Sequence, residues 1–141
     1  MQSTNSIIFT PCKIGPVELR NRTIRSAAFE NMCKDNYPTQ QLFDYHTAVA
    51  RGGIGMTTVA YASVNRSGVS FDGQLWMRKE IVPELKKLTD AVHKEGAKAS
   101  IQLGHCGNIT ACCFALHGVF FFAEFYEFNK FGSFFGFAGF G

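Results

Sequence analysis

Residues 80–103, EIVPELKKLTDAVHKEGAKASIQL, decide the fold class, because they read as one helix delivered directly into one strand. Ile81, Leu85, Leu88 and Val92 recur at helical spacing and form a single apolar stripe. Pro83 falls in the first turn, where a missing N–H costs little, and Gly96 supplies the stop. The pairs Glu84/Lys87 and Asp90/Lys94 fall on the opposite, wet face. AKASIQL, 97–103, then reads as a short strand.

The same alternation extends upstream. PTQQLFDYHTAVARGG, 38–53, reads as a helix with Thr39 as N-cap, Leu42, Tyr45 or His46, and Val49 on its apolar face, and Arg51 and Gly52 at its end. TIRSAAF, 23–29, reads as a buried strand before it. IGMTTVAYASV, 54–64, is apolar and β-branched throughout, as expected of a strand covered on both faces. CKIGPVELRNR, 12–22, suggests a hairpin turning at Gly15 and Pro16. The order strand, helix, strand, helix, strand, with crossovers of helix length, requires parallel pairing and an α/β fold. Pattern alone does not separate an open sheet from a barrel. GGIGM, 52–56, precedes its strand instead of following one, so it reads as a helix end and turn and not as a phosphate cradle.

Composition divides the chain in two. Of the 15 Phe, four precede residue 110 and eleven lie from Phe114 onward, whereas thirteen of the 14 basic residues lie at or before Lys98. The boundary falls at about residue 109, giving a patterned segment, 1–108, and a Phe/Gly-rich, low-complexity tail, 109–141, without strand–helix alternation. A net charge of +3 with no basic run is too weak an asymmetry to imply nucleic acid, so no nucleic-acid partner is expected. Five cysteines, at 12, 33, 106, 112 and 113, do not make the even framework of a secreted disulfide domain. Reduced thiols and a cytoplasmic setting are expected, and MQSTNSIIFT has no signal-peptide pattern. The apolar run ITACCFALHGVFFFA is 15 residues long, short of the roughly 20 a spanning helix needs, so no membrane role is expected. Cys106, Cys112, Cys113 and His117 offer thiolates and an imidazole but no zinc-knuckle spacing, so no metal is expected.

Three stretches, IIFTPCKIGPVELRNRTIRSAAFENM (7–32), ARGGIGMTTVAYASV (50–64) and KASIQLGHCG (98–107), resemble the first three strand regions of the old yellow enzyme family, FMN-dependent NADH:flavin oxidoreductases and ene-reductases. The resemblance covers roughly residues 7 to 108 and is most specific in Leu-Arg-Asn-Arg and in Gln-Leu-x-His-x-Gly. It implies the N-terminal portion of a TIM (β/α)₈ barrel, with FMN at the carboxyl ends of the strands. It further implies that the backbone of Ser26, Ala27, Ala28 and Phe29 lies along the flavin, that the main chain of Tyr61 contacts it, and that the amide of Gln102 bonds its pyrimidine edge. By the same resemblance His105 would lie near the site; His46 and His93 fall in helices and are expected at the surface. Phe29 departs from the threonine or cysteine that tunes the flavin in the best-known branches, and Glu30 follows it, which leaves flavin tuning unassigned. By family, NAD(P)H reduces the flavin, and an activated C=C or related small-molecule acceptor receives the hydride.

A (β/α)₈ barrel needs about 200 residues at the least, and the matching part supplies about three β-strands and two helices. In the family, the groups that hold the substrate oxygen, the tyrosine proton donor and the FMN phosphate loops all follow the third strand. The alternative to an active oxidoreductase is therefore a non-catalytic truncated fragment that does not bind FMN tightly, with a tail not native to the family. Three parallel strands alone would also leave two open edges.

Overall fold

The computed structural model describes residues 6–106 and the backbone of a strand at 121–124. The chain opens with a hairpin of β1 (Cys12–Ile14) and β2 (Val17–Leu19), turning at Gly15 and Pro16 as expected. Strand β3 (Ile24–Arg25) enters the main sheet. A second hairpin, β4 (Cys33–Lys34) and β5 (Tyr37–Pro38), turns on Asp35 and Asn36, both with positive φ, the geometry of a tight primed turn. Helix α1 (Gln40–Arg51), strand β6 (Met56–Ser63), the short β7 (Leu75–Trp76), helix α2 (Val82–Lys94) and strand β8 (Lys98–Gly104) follow. Strand β9 (Phe121–Glu124) completes the described elements.

Strand β6 is the centre of the sheet. It pairs in parallel with β3 and β8, as the crossover lengths required, and β7 joins it in parallel at Ala62 and Ser63. Ile81, at the N-cap of α2, and Leu85, Leu88 and Val92 of the helix pack with Val59, Ala99 and Ile101 of the sheet in one continuous core. Two polar pairs are buried with it, one on each side of β6. Thr57 bonds His46 of α1 at 2.8 Å, and Thr58 bonds Ser100 of β8 at 2.8 Å.

At the amino ends of these strands one side chain joins the layers. Arg20 donates through Nε to the carbonyl of Ile54 at 2.9 Å, through Nη1 to that of Glu95 at 2.8 Å, and through Nη2 to that of Ala50. Helix C-termini leave carbonyls without intrahelical partners, and this guanidinium satisfies both helix ends together. Gly96, at φ +80°, lets the chain reverse where a side chain would crowd Arg20 Nη1. Asn21 works beside it, donating to the carbonyl of Gly53 at 2.7 Å and accepting from Thr23. The Leu-Arg-Asn-Arg run is thus a structural clamp at the end of the sheet opposite the strand carboxyl ends.

Several expectations are corrected. TIRSAAF is not a buried strand: only Ile24 and Arg25 pair, and Ile24 is 42% exposed, because the segment leaves β6 after Thr57. His46 is fully buried, since it shares the inner face of α1 with Leu42 and Ala50; Val49 is only half-buried. Thr39 stands at the N-cap, yet its hydroxyl donates to the carbonyl of Met32 and caps nothing. Asp90 pairs with Lys86 at 2.6 Å and not with Lys94. The outer edge of β8 is not open, because β9 pairs with it antiparallel from within the segment read as patternless. The rest of that segment lies outside the described residues, including Cys112, Cys113, His117 and most of the apolar run.

Replacing Arg20 by Ala removes a charged donor from three carbonyls, of which that of Ala50 keeps the Gly53 N–H, and is expected to lower the unfolding free energy by about 2–4 kcal/mol. Arg20→Lys, with a compact ammonium in place of the planar fork, restores only part of it. Urea denaturation of the three proteins measures both, and an unchanged Arg20→Ala midpoint would contradict the clamp.

Candidate functional site

The site is built where β6 changes step with its neighbours. Val59 pairs with Ile101, but the next pair is Ala62 with Leu103, so β6 spends three residues where β8 spends two. Ala60 and Tyr61 together stand opposite Gln102, a bulge of the kind that re-aims a side chain. On the other edge of β6, β3 pairs only as far as Thr57 and β7 begins only at Ala62. The stretch between has no strand neighbour there, and its buried polar groups need partners.

Two side chains from the β3 segment supply them. Arg25 Nη1 donates to the carbonyl of Thr58 at 2.7 Å, and the Ala60 N–H donates to Glu30 Oε2 at 3.0 Å. Glu30 Oε1 lies 2.9 Å from Arg25 Nη1 and 3.4 Å from His46 Nε2, with the carboxylate side chain only 3% exposed. Neither of these two contacts has hydrogen-bond geometry, so among the described residues Oε1 and His46 Nε2 carry no hydrogen bond. Arg25 also donates to Tyr45 Oη at 3.0 Å and to the carbonyl of Ala28 at 3.3 Å, and it lies over the Tyr45 ring. The loop Ser26–Glu30 is therefore held at both ends by an ion pair that also completes β6. Asn31, at φ 54°, then turns the chain away. The same carboxylate acts on Cys33. Burial chiefly, with the Glu30 charge adding to it, pushes that thiol up to about 12, so it packs as an apolar group.

The residues expected at the site meet here. Ser26 and Ala28 are exposed and Ala27 half-buried along the loop, and Phe29 is 39% exposed. The Phe29 ring lies 5.4 Å from that of Tyr61 and 5.2 Å from that of Phe71, both tilted. Gln102 is half-buried, level with the bulge, and its amide makes no hydrogen bond to the described residues. An amide so placed can donate and accept at once. Cys106 Sγ approaches Tyr61 Oη at 3.8 Å. His105 is exposed, with Nε2 3.1 Å from the hydroxyl of Ser67. Its ring packs so closely on Gly68 that an added Cβ would lie 2.5 Å from Cδ2.

Sequence reading missed Glu30, His46 and Gln74 as parts of this site. Gln74 is fully buried, its Oε1 accepting from the Ser70 N–H at 2.7 Å while its Nε2 has no partner among the described residues. The available signal was an arginine and a glutamate bracketing the apolar run SAAF, where an acid must be paired if it is buried. Among the described residues no three His, Cys, Asp or Glu side chains are grouped to hold a metal ion. Nor is any described helix long and apolar enough to cross a membrane.

Residues 7–112 match the family described as NADH:flavin oxidoreductase / NADH oxidase. The chain is 45% identical over 100 residues to a 4,4'-dithiodibutanoate disulfide reductase of Rhodococcus erythropolis, covering 71% of this chain and 25% of that protein. It is 39% identical over 108 residues to an NADPH dehydrogenase of Listeria monocytogenes serotype 4b, covering 72% of this chain and 31% of the relative. The chain thus spans about a quarter to a third of these relatives. Among solved structures, a 2-naphthoyl-CoA reductase bound to 2-naphthoyl-CoA matches with a TM-score of 0.70 at 28% identity, over 74% of this chain and 16% of that one. An old yellow enzyme from Pichia sp. AKU4542 also matches at 0.70, at 21% identity, over 75% of this chain and 28% of its own. The fold is accordingly part of an α/β barrel of the old yellow enzyme type.

Burial pushes the Tyr61 phenol above its ordinary value; the hydrogen bond with Ser70 works against this, and Cys106 adds to the rise. Because desolvation disfavours the phenolate, an ultraviolet alkaline titration is expected to contain one component above pH 10 that Tyr61→Phe removes. Its persistence in Tyr61→Phe would contradict the assigned environment.

Proposed function

The chain belongs to the NADH:flavin oxidoreductase / NADH oxidase family, and from that premise we propose that it forms one wall of an FMN site. The family uses FMN with NAD(P)H as reductant and acts on small molecules. The observation that carries the proposal is the bulge in β6. It sets Tyr61 and Gln102 level with the loop Ser26–Phe29 at the carboxyl ends of β3, β6 and β8, the end at which barrel chemistry is assembled.

The side chains present fit the ring of the cofactor. Ser26, Ala27 and Ala28 are small enough for a flat ring to approach the backbone, and the Gln102 amide, unbonded among the described residues, suits a pyrimidine edge that both accepts and donates. Arg25, the basic side chain within the group, is committed to Glu30 and to backbone carbonyls, so these residues have no free cation for the phosphate. When bound, FMN would supply hydride transfer between NAD(P)H and an activated C=C or related acceptor. The chain's own residues would orient the ring, exclude water from one side of it through Phe29 and Tyr61, and bond its polar edge through Gln102. The three described cysteines are free thiols, which supports a cytoplasmic setting.

A second reading has the 141-residue chain alone holding FMN too weakly for turnover. The quarter to a third of its relatives that it spans supports this reading. One experiment separates the two: the purified chain is titrated into FMN while flavin fluorescence and NADPH oxidation are followed. The flavin proposal predicts saturable quenching, weakened about tenfold or more by Gln102→Ala, the cost of one lost buried hydrogen-bonding group. No saturable quenching, or a colourless aggregate that binds ANS, would sink it. Quenching without NADPH oxidation would favour the second reading over an active enzyme.

A further inference from the structure

Nothing in the flavin reading assigns a task to Glu30, yet it is the acid in the group whose burial is hardest to account for by packing alone. A carboxylate with 3% of its side chain exposed is costly unless its oxygens are satisfied. Here each oxygen has a separate duty. Oε2 accepts the Ala60 N–H, which the gap between β3 and β7 leaves without a strand partner. Oε1 faces Arg25 and His46, which are themselves tied to Thr58 and Thr57 of the same strand.

We propose that Glu30 is a positioning residue for the cofactor-facing backbone: its two oxygens lock the loop Ser26–Phe29 to the Ala60–Tyr61 bulge. Resting on the FMN reading, the proposal adds a residue of this chain that acts through its neighbours and does not itself touch the ring. The chemistry requires a carboxylate and not merely a polar group of that size. Glutamine fills the same volume but has one accepting oxygen and one donating nitrogen. With its oxygen on the Ala60 N–H, its nitrogen confronts Arg25, which has only donors. Turned over, its nitrogen confronts the N–H of Ala60. Either way one tie is lost. Aspartate keeps both acceptors but is shorter by one methylene, and does not span the distance.

The test is amide hydrogen exchange of the 141-residue chain without flavin, in wild type and Glu30→Gln, followed by FMN titration of both. In wild type, the Ala60 amide is expected to exchange at least about a hundredfold more slowly than in a free peptide, although no strand lies beside it. In Glu30→Gln the amides of Ala60 and residues 26–30 are expected to exchange about tenfold faster, the loss of one hydrogen bond, while those of Leu85, Leu88 and Val92 stay unchanged. The FMN dissociation constant rises by about the same tenfold factor, and Glu30→Asp fails to restore either quantity. An unprotected Ala60 in wild type overturns the proposal even if no variant folds. So does exchange in Glu30→Gln within twofold of wild type, or loss spread evenly over α2. Failure of wild type to bind FMN contradicts the flavin reading but leaves the exchange result to decide the lock.

Discussion

Strand β6 has to satisfy two edges along eight residues, and neither neighbour keeps step with it for the whole length. Against β8 it carries an extra residue at Ala60 and Tyr61; against β3 and β7 it faces a gap from Thr58 to Tyr61. A buried peptide group without a partner costs about as much as a lost hydrogen bond. The ion pair of Arg25 and Glu30 therefore serves as a replacement for strand pairing. Much else follows from it. The loop after β3 is drawn across β6 because Glu30 must reach Ala60, and His46 is buried because Thr57 and Glu30 lie where α1 crosses.

The two ends of the sheet are stabilised differently. At the amino ends, Arg20 and Asn21 gather backbone carbonyls from both helices and the turn before β6. At the carboxyl ends, small side chains, two exposed phenylalanines and an amide without a hydrogen bond to the described residues lie together. A barrel of this type builds its sites at that second end.

The fold was legible where periodicity is strong. Helix α2 has an unbroken stripe and a glycine stop, and β6 and β8 are apolar and of strand length, so their parallel pairing followed from the crossovers between them. The strand TIRSAAF was misread because its apolar look comes from a loop of small side chains at a surface, and burial cannot be inferred from alanine. His46 was misread because a polar residue on an apolar helical face reads as an interruption until its partner, Thr57, is known. For Glu30 the obstacle is of the same kind. Its function depends on a gap in strand pairing, which arises from register across three strands and leaves no local mark. The positions proposed to face the cofactor, Ser26–Phe29, Tyr61 and Gln102, follow from family resemblance, and the bulge gives a geometric reason for Tyr61 and Gln102 lying level with each other.

The most direct measurement of the central claim is backbone amide exchange of the chain with and without saturating FMN. Added protection is expected at residues 26–29, 60–62 and 102–105, with none around Arg20, the end of α1 or the end of α2. Protection confined to the amino ends of the strands, or no change at any residue in the presence of bound flavin, would contradict it.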